Sequence, residues 1–521
     1  MKNDIYDILI IGSGAGGAPA AWNLSKSGFK VACFEQGEEI DKDDFSQKNN
    51  SWEYLRHTKY DSNPNKRNLK SDYPINDKNS PISIANFNGV GGSTVLYSAH
   101  LPRFRPEDFK IKKKDNIGSD WPISYRDIKK YYEINEKILG IAGLKGDPAY
   151  PDIKNLLKPV KLEKSGRIIS KAFDKLGWHW WPSYSGIITS KFKNRKLNSK
   201  SDMNNSYWPL AIKNGVKLFV NRRVSKIKLD KKGKAIGVLY FDKNNIERFQ
   251  GASLIILACG GVGTPRILLN SKTKHFKDGL ANTSGLVGKN LMLHPLGFVE
   301  GTFDNLNTSF QGPEGCNIYS HNFFGTNKKN DFKRGYTMQV LRGNHPISTA
   351  QSAKKLNELK FGNKHHEEFA ASYGKKIPIA IICEDLPEKK NYIELDKNIK
   401  DSNGIPGVKV NYRMSDNTKK MLSHGLTKGK ELMSVAGSKK TIAFGPVKHT
   451  GWHLMGTTKM GFKKENSVVN SYGQTHDIKN LIIVDSSIFT TSSSVNPVAT
   501  IISLSLMITD KIKKQKNLFF K

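Results

Sequence analysis

Apolar positions along the chain fall into short continuous runs, alternating runs and helical stripes, and their order outlines an architecture. Tyr6–Ile11 is a compact apolar run that reads as a buried strand, followed by a tight glycine turn over Gly12–Gly17. Ala18–Ser27 has helical spacing, and Lys30–Glu35 reads as a second strand. Val216–Val220, Gly237–Phe241 and Ser253–Ala258 read as further strands, the last ending at Cys259-Gly260-Gly261. Leu481–Val484 is another, and an apolar helix opens at Asn496-Pro497-Val498. The stretches between differ in character. Ser124–Ile141 is helical and Trp178–Tyr207 is aromatic and lysine-rich. Ile377–Cys383, Tyr392–Leu395 and Val408–Tyr412 are short runs joined by Gly/Pro/Asp/Asn turns, as antiparallel strands are. The pattern predicts an α/β protein: a discontinuous Rossmann-like, parallel-sheet domain from residues 1–100, 208–295 and 446–521. It is interleaved with a mainly antiparallel domain from 101–207 and 296–445 that would cover the first domain's ligand.

The first turn carries chemistry. Gly12 makes the bend, Gly14 lets backbone N–H groups approach a pyrophosphate, and Gly17 lets helix and strand pack closely, with Ser13, Ala15 and Gly16 completing the loop. The helix that follows presents its positive end to phosphate. Glu35, eighteen residues after Gly17, is placed to accept hydrogen bonds from ribose hydroxyls, which favours an unphosphorylated ribose over NADP. A dinucleotide site is therefore expected.

Composition changes this picture little. Of 521 residues, 83 are Lys or Arg against 47 Asp or Glu, giving a formal charge of +36. Such a balance raises nucleic acid or an anionic membrane as partners. The lysines are spread through nearly every loop, however, and no nucleic-acid-binding motif accompanies them, so no nucleic-acid partner is expected. Cys33, Cys259, Cys316 and Cys383 are scattered without metal-ligand spacing, so neither a disulfide framework nor a metal site is indicated. With no signal peptide and no apolar run of membrane-spanning length, the default is a cytoplasmic protein; export or membrane association with a partner would leave no mark here.

Three further blocks complete the reading. Gly89–Tyr97 is a second glycine turn containing Gly91, Gly92 and Ser93. His453-Leu-Met-Gly-Thr457 precedes a strand ending at Asp485-Ser486, and Asn496-Pro497-Val498 opens a helix whose free N–H groups could stabilise negative charge. These blocks, in this order over nearly the whole chain, resemble the glucose–methanol–choline oxidoreductase family. Within it the likeness is to bacterial sugar and sugar-acid dehydrogenases such as gluconate 2-dehydrogenase flavoprotein subunits, carried by Arg103–Phe109, Asp120–Tyr125, Glu384–Pro387 and Tyr412–Asp416.

The resemblance implies FAD as cofactor. Gly12, Gly14, Gly17 and Glu35 would hold its ADP half, and Val224 would meet adenine through its backbone. Gly91, Gly92 and Ser93 would line the pyrophosphate and flavin, Gly260 would cap the site, and Asp485 and Ser486 would touch the ribityl and phosphate region. His453 matches the catalytic histidine and Asn496 its partner, with Pro497 and Val498 behind the flavin. Three positions depart from the family pattern. Leu96 stands where some relatives attach FAD covalently, so noncovalent binding is expected. Ser183–Trp208 lacks the cysteine cluster of the sugar-acid dehydrogenases, so no iron–sulfur relay is expected there. Leu293 replaces the usual Asp before His294-Pro295.

The implied reaction is oxidation of the CH–OH group of a sugar, sugar acid or polyol, with hydride passing to flavin N5 and the hydroxyl proton to neutral His453. Electrons would go on to a quinone, cytochrome or other carrier, with a small subunit as a possible partner. An oxygen-using oxidase is the first alternative, and a basic nucleic-acid- or membrane-binding protein with a vestigial FAD fold is the second. His449 and His476 read as structural. His100 and His294 each follow a motif that could approach the cofactor, and Trp452 is equally a core residue or a substrate platform.

Overall fold

A computed structural model describes residues 5–41, 44, 52–307, 315–355 and 359–520. The first apolar run forms the strand Tyr6–Ile11 at the middle of a seven-stranded sheet. Parallel to it on one side lie Val31–Phe34 and then Lys217–Phe219, and on the other Glu247–Leu257. That eleven-residue strand serves two partners in succession. Residues 247–251 pair antiparallel with Ala235–Phe241, whereas 252–257 run parallel to Tyr6–Ile11. Its apolar end also pairs with Leu481–Ile483. The central strands are buried on both faces, which explains their unbroken runs of Ile, Leu, Val and Ala. Helix Gly17–Ser25 packs on this sheet, and helix Val498–Lys514 packs on that helix and on Tyr125–Leu139. Asn23 Nδ2 donates to Thr509 Oγ1 (2.9 Å), and Ser505 Oγ donates to the carbonyl of Gly16 (2.6 Å), so the last long helix fastens the first glycine turn.

A second, six-stranded antiparallel sheet runs in the order Lys440–Phe444, Leu296–Thr302, Lys376–Cys383, Tyr336–Leu341, Cys316–Ser320, Trp181–Pro182. Its period-two alternation separates two faces. Val299, Met338, Val340, Ile377, Ile379 and Ile381 join a core beneath helix Asp416–Val435. Leu296, Phe298, Gln339, Leu341, Ala380 and Ile382 point the other way, into the cavity described below. The strands at Tyr392–Lys400 and Pro406–Asn411 belong to neither sheet. They form a three-stranded sheet with Ile75–Asn79, from the first hundred residues, and pack on helix Gly260–Asn270. Among the described residues no helix is long and apolar enough to cross a membrane.

Candidate functional site

The carboxyl ends of the parallel strands meet the inner face of the antiparallel sheet around a cavity of about 520 Å³, within the range of small-molecule and cofactor sites. One end is the glycine turn. Gly12 has φ +97°, and a Cβ there would lie 2.5 Å from the carbonyl oxygen of Ala258; one on Gly16 would lie 2.7 Å from that of Val484. The second turn comes equally close, since a Cβ on Gly92 would lie 2.9 Å from Gly14 Cα. At Gly12, Gly16 and Gly92 the cradle has no room for a side chain. Gly12→Ala is expected to cost about 1–3 kcal/mol through the positive φ alone, seen as a lowered melting temperature and a lower ratio of bound flavin to protein. Wild-type values for both would contradict that reading of the turn.

Ser13 and Glu35 stitch the cradle together. The Ser13 N–H donates to Glu35 Oε2 (3.0 Å), Ser13 Oγ lies 2.6 Å from the same oxygen, and the Gly37 N–H donates to Oε1 (3.0 Å). Burial raises the Glu35 carboxyl pKa, against which these donors pull. Ser13 Oγ also accepts from the Gly91 N–H (3.2 Å), and the Trp208 indole N–H donates to the Ser13 carbonyl (2.9 Å). Helix Gly17–Ser25 has no side-chain cap at Gly16, so its positive end is left to the glycine turn that lines the cavity. Asp485 ties the far strand ends: Oδ2 accepts from the Gly260 N–H (3.0 Å) and Thr264 Oγ (2.5 Å), and Oδ1 from the Ser487 N–H (2.8 Å). Ser486 Oγ donates to the Leu454 carbonyl (2.5 Å), fixing the residue next to His453.

At the other end His453 opens onto the cavity, with Asn496 Nδ2 3.4 Å from its Nε2 and His294 Nδ1 2.9 Å from its Nδ1. Desolvation by the surrounding protein, and then the neighbouring His294 and His100, lower the His453 pKa well below the ordinary imidazole value. Helix Val498–Lys514 begins just beyond, again without a side-chain cap at Pro497.

Of the residues expected from sequence, Gly12, Ser13, Gly14, Ala15, Gly16, Glu35, Gly92, Ser93, Val224, Gly260, Asp485, Ser486, Pro497, Val498, His453 and Asn496 line this one cavity. Gly17 and Gly91 do not. A Cβ on Gly17 would run into the Gly12 carbonyl oxygen, and one on Gly91 into Asn204, so both act from behind the wall. His100, His294 and Trp452 line the cavity; His449 and His476 do not. Leu96 is buried against Tyr60 and Phe87, and its aliphatic side chain offers no atom for covalent attachment. Leu293 is core, and its N–H donates to Asp385 Oδ2 (3.1 Å), so the carboxylate bracing this segment comes from a different strand end. Gln339 was missed in the sequence: its Nε2 donates to Asn496 Oδ1 (2.6 Å).

The cavity's donor set and crowded glycine cradle fit FAD. The chain matches the GMC oxidoreductase family over residues 6–296 and 387–505. It is 36% identical to 2-methyl-1,2-propanediol dehydrogenase of Mycolicibacterium austroafricanum, over 98% of this chain and 96% of that one. It is 24% identical to the fructose dehydrogenase large subunit of Gluconobacter japonicus, over 98% and 99%. The crystal structure of pyridoxine 4-oxidase from Mesorbium loti shares the fold, with a TM-score of 0.63 at 15% identity over 97% of this chain and 99% of that one. With both segments of the family matched and relatives aligned nearly end to end, the chain belongs to the GMC oxidoreductase family, FAD-dependent enzymes that oxidise alcohol groups.

Proposed function

We propose that the chain is a dehydrogenase of a small, neutral diol or polyol, with His453 accepting the hydroxyl proton and Asn496 holding the hydroxyl oxygen. The observation that carries this reading is an uncharged imidazole paired with an amide in the wall of the same cavity as the glycine cradle. FAD, held by the glycine turns, Glu35, Val224, Asp485 and the Pro497–Val498 helix start, supplies the acceptor for the hydride leaving the carbinol carbon. His453 is neutral at working pH and receives the O–H proton as the C–H bond breaks. The antiparallel sheet excludes water and shapes the substrate space.

That sheet supports the choice of substrate class. Register places Leu296 opposite Ile382, and Phe298 and Gln339 both opposite Ala380. Together with Leu341 they form a floor of five apolar side chains and one amide. The floor carries no charge and suits an alcohol with an apolar flank, while the arginines that line the same cavity, Arg56, Arg222 and Arg266, are not part of it. The propanediol dehydrogenase relative, whose named substrate carries such a flank, points the same way.

The test is an anaerobic stopped-flow panel of branched diols, linear polyols, sugars and aldonates, reading bleaching of bound flavin. Branched diols are expected to reduce the flavin fastest. Because protonation removes the base, the limiting rate should be flat from about pH 9 to below the ordinary imidazole pKa of about 6.5 and fall only at more acidic pH. No bleaching by any alcohol would overturn the reading. Dye reduction without air, against peroxide formation in air, separates a dehydrogenase from an oxidase.

A further inference from the structure

His294 and Gln339 stand at opposite ends of one hydrogen-bonded chain through the cavity wall. His294 Nε2 lies 2.8 Å from the carbonyl oxygen of Ser493 and 3.2 Å from that of Ser492. Carbonyls only accept, so Nε2 carries the proton. The ring is buried at 1% exposure, and desolvation pushes its pKa down to about 4. It therefore has no second proton, and Nδ1 presents a lone pair. The atom 2.9 Å away is His453 Nδ1, which must then donate, leaving His453 Nε2 bare. The other end has the matching polarity. Gln339, buried in the antiparallel sheet, donates through Nε2 to Asn496 Oδ1 and so turns the Asn496 N–H groups towards His453 Nε2. Reversing both amides would set Asn496 Oδ1 against that bare nitrogen, two acceptors face to face.

The backbone is committed to the arrangement. His294 has φ +54° and Ser493 φ +57°, left-handed conformations that strain non-glycine residues and persist where surrounding structure fixes them. Both lie at the contacts with the Ser492 and Ser493 carbonyls that set the His294 tautomer.

We propose that His294 and Gln339 are positioning residues that fix, from opposite ends, the tautomer of His453 and the amide orientation of Asn496, so that the alcohol meets a bare Nε2 and an N–H donor. The proposal rests on His453 and Asn496 being the reacting pair. Loss of either end is expected to lower the limiting rate of flavin reduction about tenfold or more, as loss of an orienting hydrogen bond does, with little change in substrate affinity.

The experiment measures flavin reduction in the FAD-loaded enzyme for His294→Phe, His294→Gln, Gln339→Met and His453→Ala. His294→Phe and Gln339→Met should both fall. His294→Gln should recover most of the loss, because its amide can donate to Ser493 and accept from His453 Nδ1. In enzyme labelled with 15N-histidine, the His453 Nε2 resonance, identified by its absence in His453→Ala, should be that of an unprotonated nitrogen. It should shift towards the protonated form in His294→Phe. Wild-type rates in His294→Phe and Gln339→Met, with His453→Ala impaired, would overturn the proposal and leave the function standing. A wild-type rate in His453→Ala would overturn the function itself. If His294→Phe fails to retain FAD, Gln339→Met alone decides.

Discussion

Replacing His453 with alanine is expected to lower the limiting rate of flavin reduction by at least about 10²–10⁴-fold, the usual contribution of a positioned acid–base group, while FAD stays bound. The separation is geometric. His453 lines the cavity beside the antiparallel sheet, whereas the groups that would face the dinucleotide are those of the glycine turns and the carboxylates at the parallel-strand ends. Its neighbours Leu454 and Gly456 are held through Ser486, so truncating the imidazole leaves the loop in place. The check is a stopped-flow trace beside a visible spectrum: a normal flavin peak with slow bleaching. An unchanged rate would remove His453 from the chemistry, and a colourless protein would assign it to cofactor retention instead.

The second large effect is on stability. Arg334 is fully buried, with three carboxylates around it: Asp108 Oδ1 at 2.7 Å, Glu384 Oε2 at 2.9 Å and Asp115 Oδ2 at 3.0 Å. Burial lowers its pKa, but Glu384 and Asp108 more than offset this and keep the guanidinium charged. Burial also pushes Glu384 up to about 7 despite Arg334. Arg334→Met would leave Asp108 and Glu384 without their ion-pair partner, with only the longer-range charge of Arg105 still acting on Glu384, a loss of about 3–5 kcal/mol typical of breaking one side of a buried ion pair. The pH dependence has a definite sign. In the variant the stranded carboxyls have folded-state pKa values above their unfolded ones, so the folded state binds more protons and the variant loses stability as pH rises. The deficit in urea unfolding should therefore be largest above pH 7 and shrink towards pH 5. A deficit under about 1 kcal/mol, the scale of an exposed pair, would show the cluster to be solvated. Asp108 Oδ2 also accepts from Ser493 Oγ (3.0 Å), so the same change loosens the loop whose carbonyl faces His294.

The sequence made local features legible and left cross-chain partnerships hidden, for a physical reason. The glycine turn, its flanking strands and the helix at Val498 are specified by residues a few positions apart, and they appear where the pattern placed them. Glu35 was legible as an acid at a strand end, but its clasp on Ser13 and Gly37 depends on how the turn closes. Gln339 looks like any polar residue in a strand; only the register of the antiparallel sheet brings it to Asn496. The pairing of Pro406–Asn411 with Ile75–Asn79 joins segments over three hundred residues apart, and neither strand carries a mark of the other. His294 was ambiguous because a left-handed φ at a histidine has no sequence signature comparable to glycine.

The long strand Glu247–Leu257 receives Tyr6–Ile11 on one edge and Leu481–Ile483 on the other, and this dictates an order of birth. Chain leaving a ribosome would carry the first glycine turn for hundreds of residues before the helix that fastens it emerges. The complete cradle can therefore form only late, after a slow search governed by distant strand pairings. Scarcity of the vitamin precursor would then be felt as a pool of nearly finished, colourless molecules awaiting a single closing step.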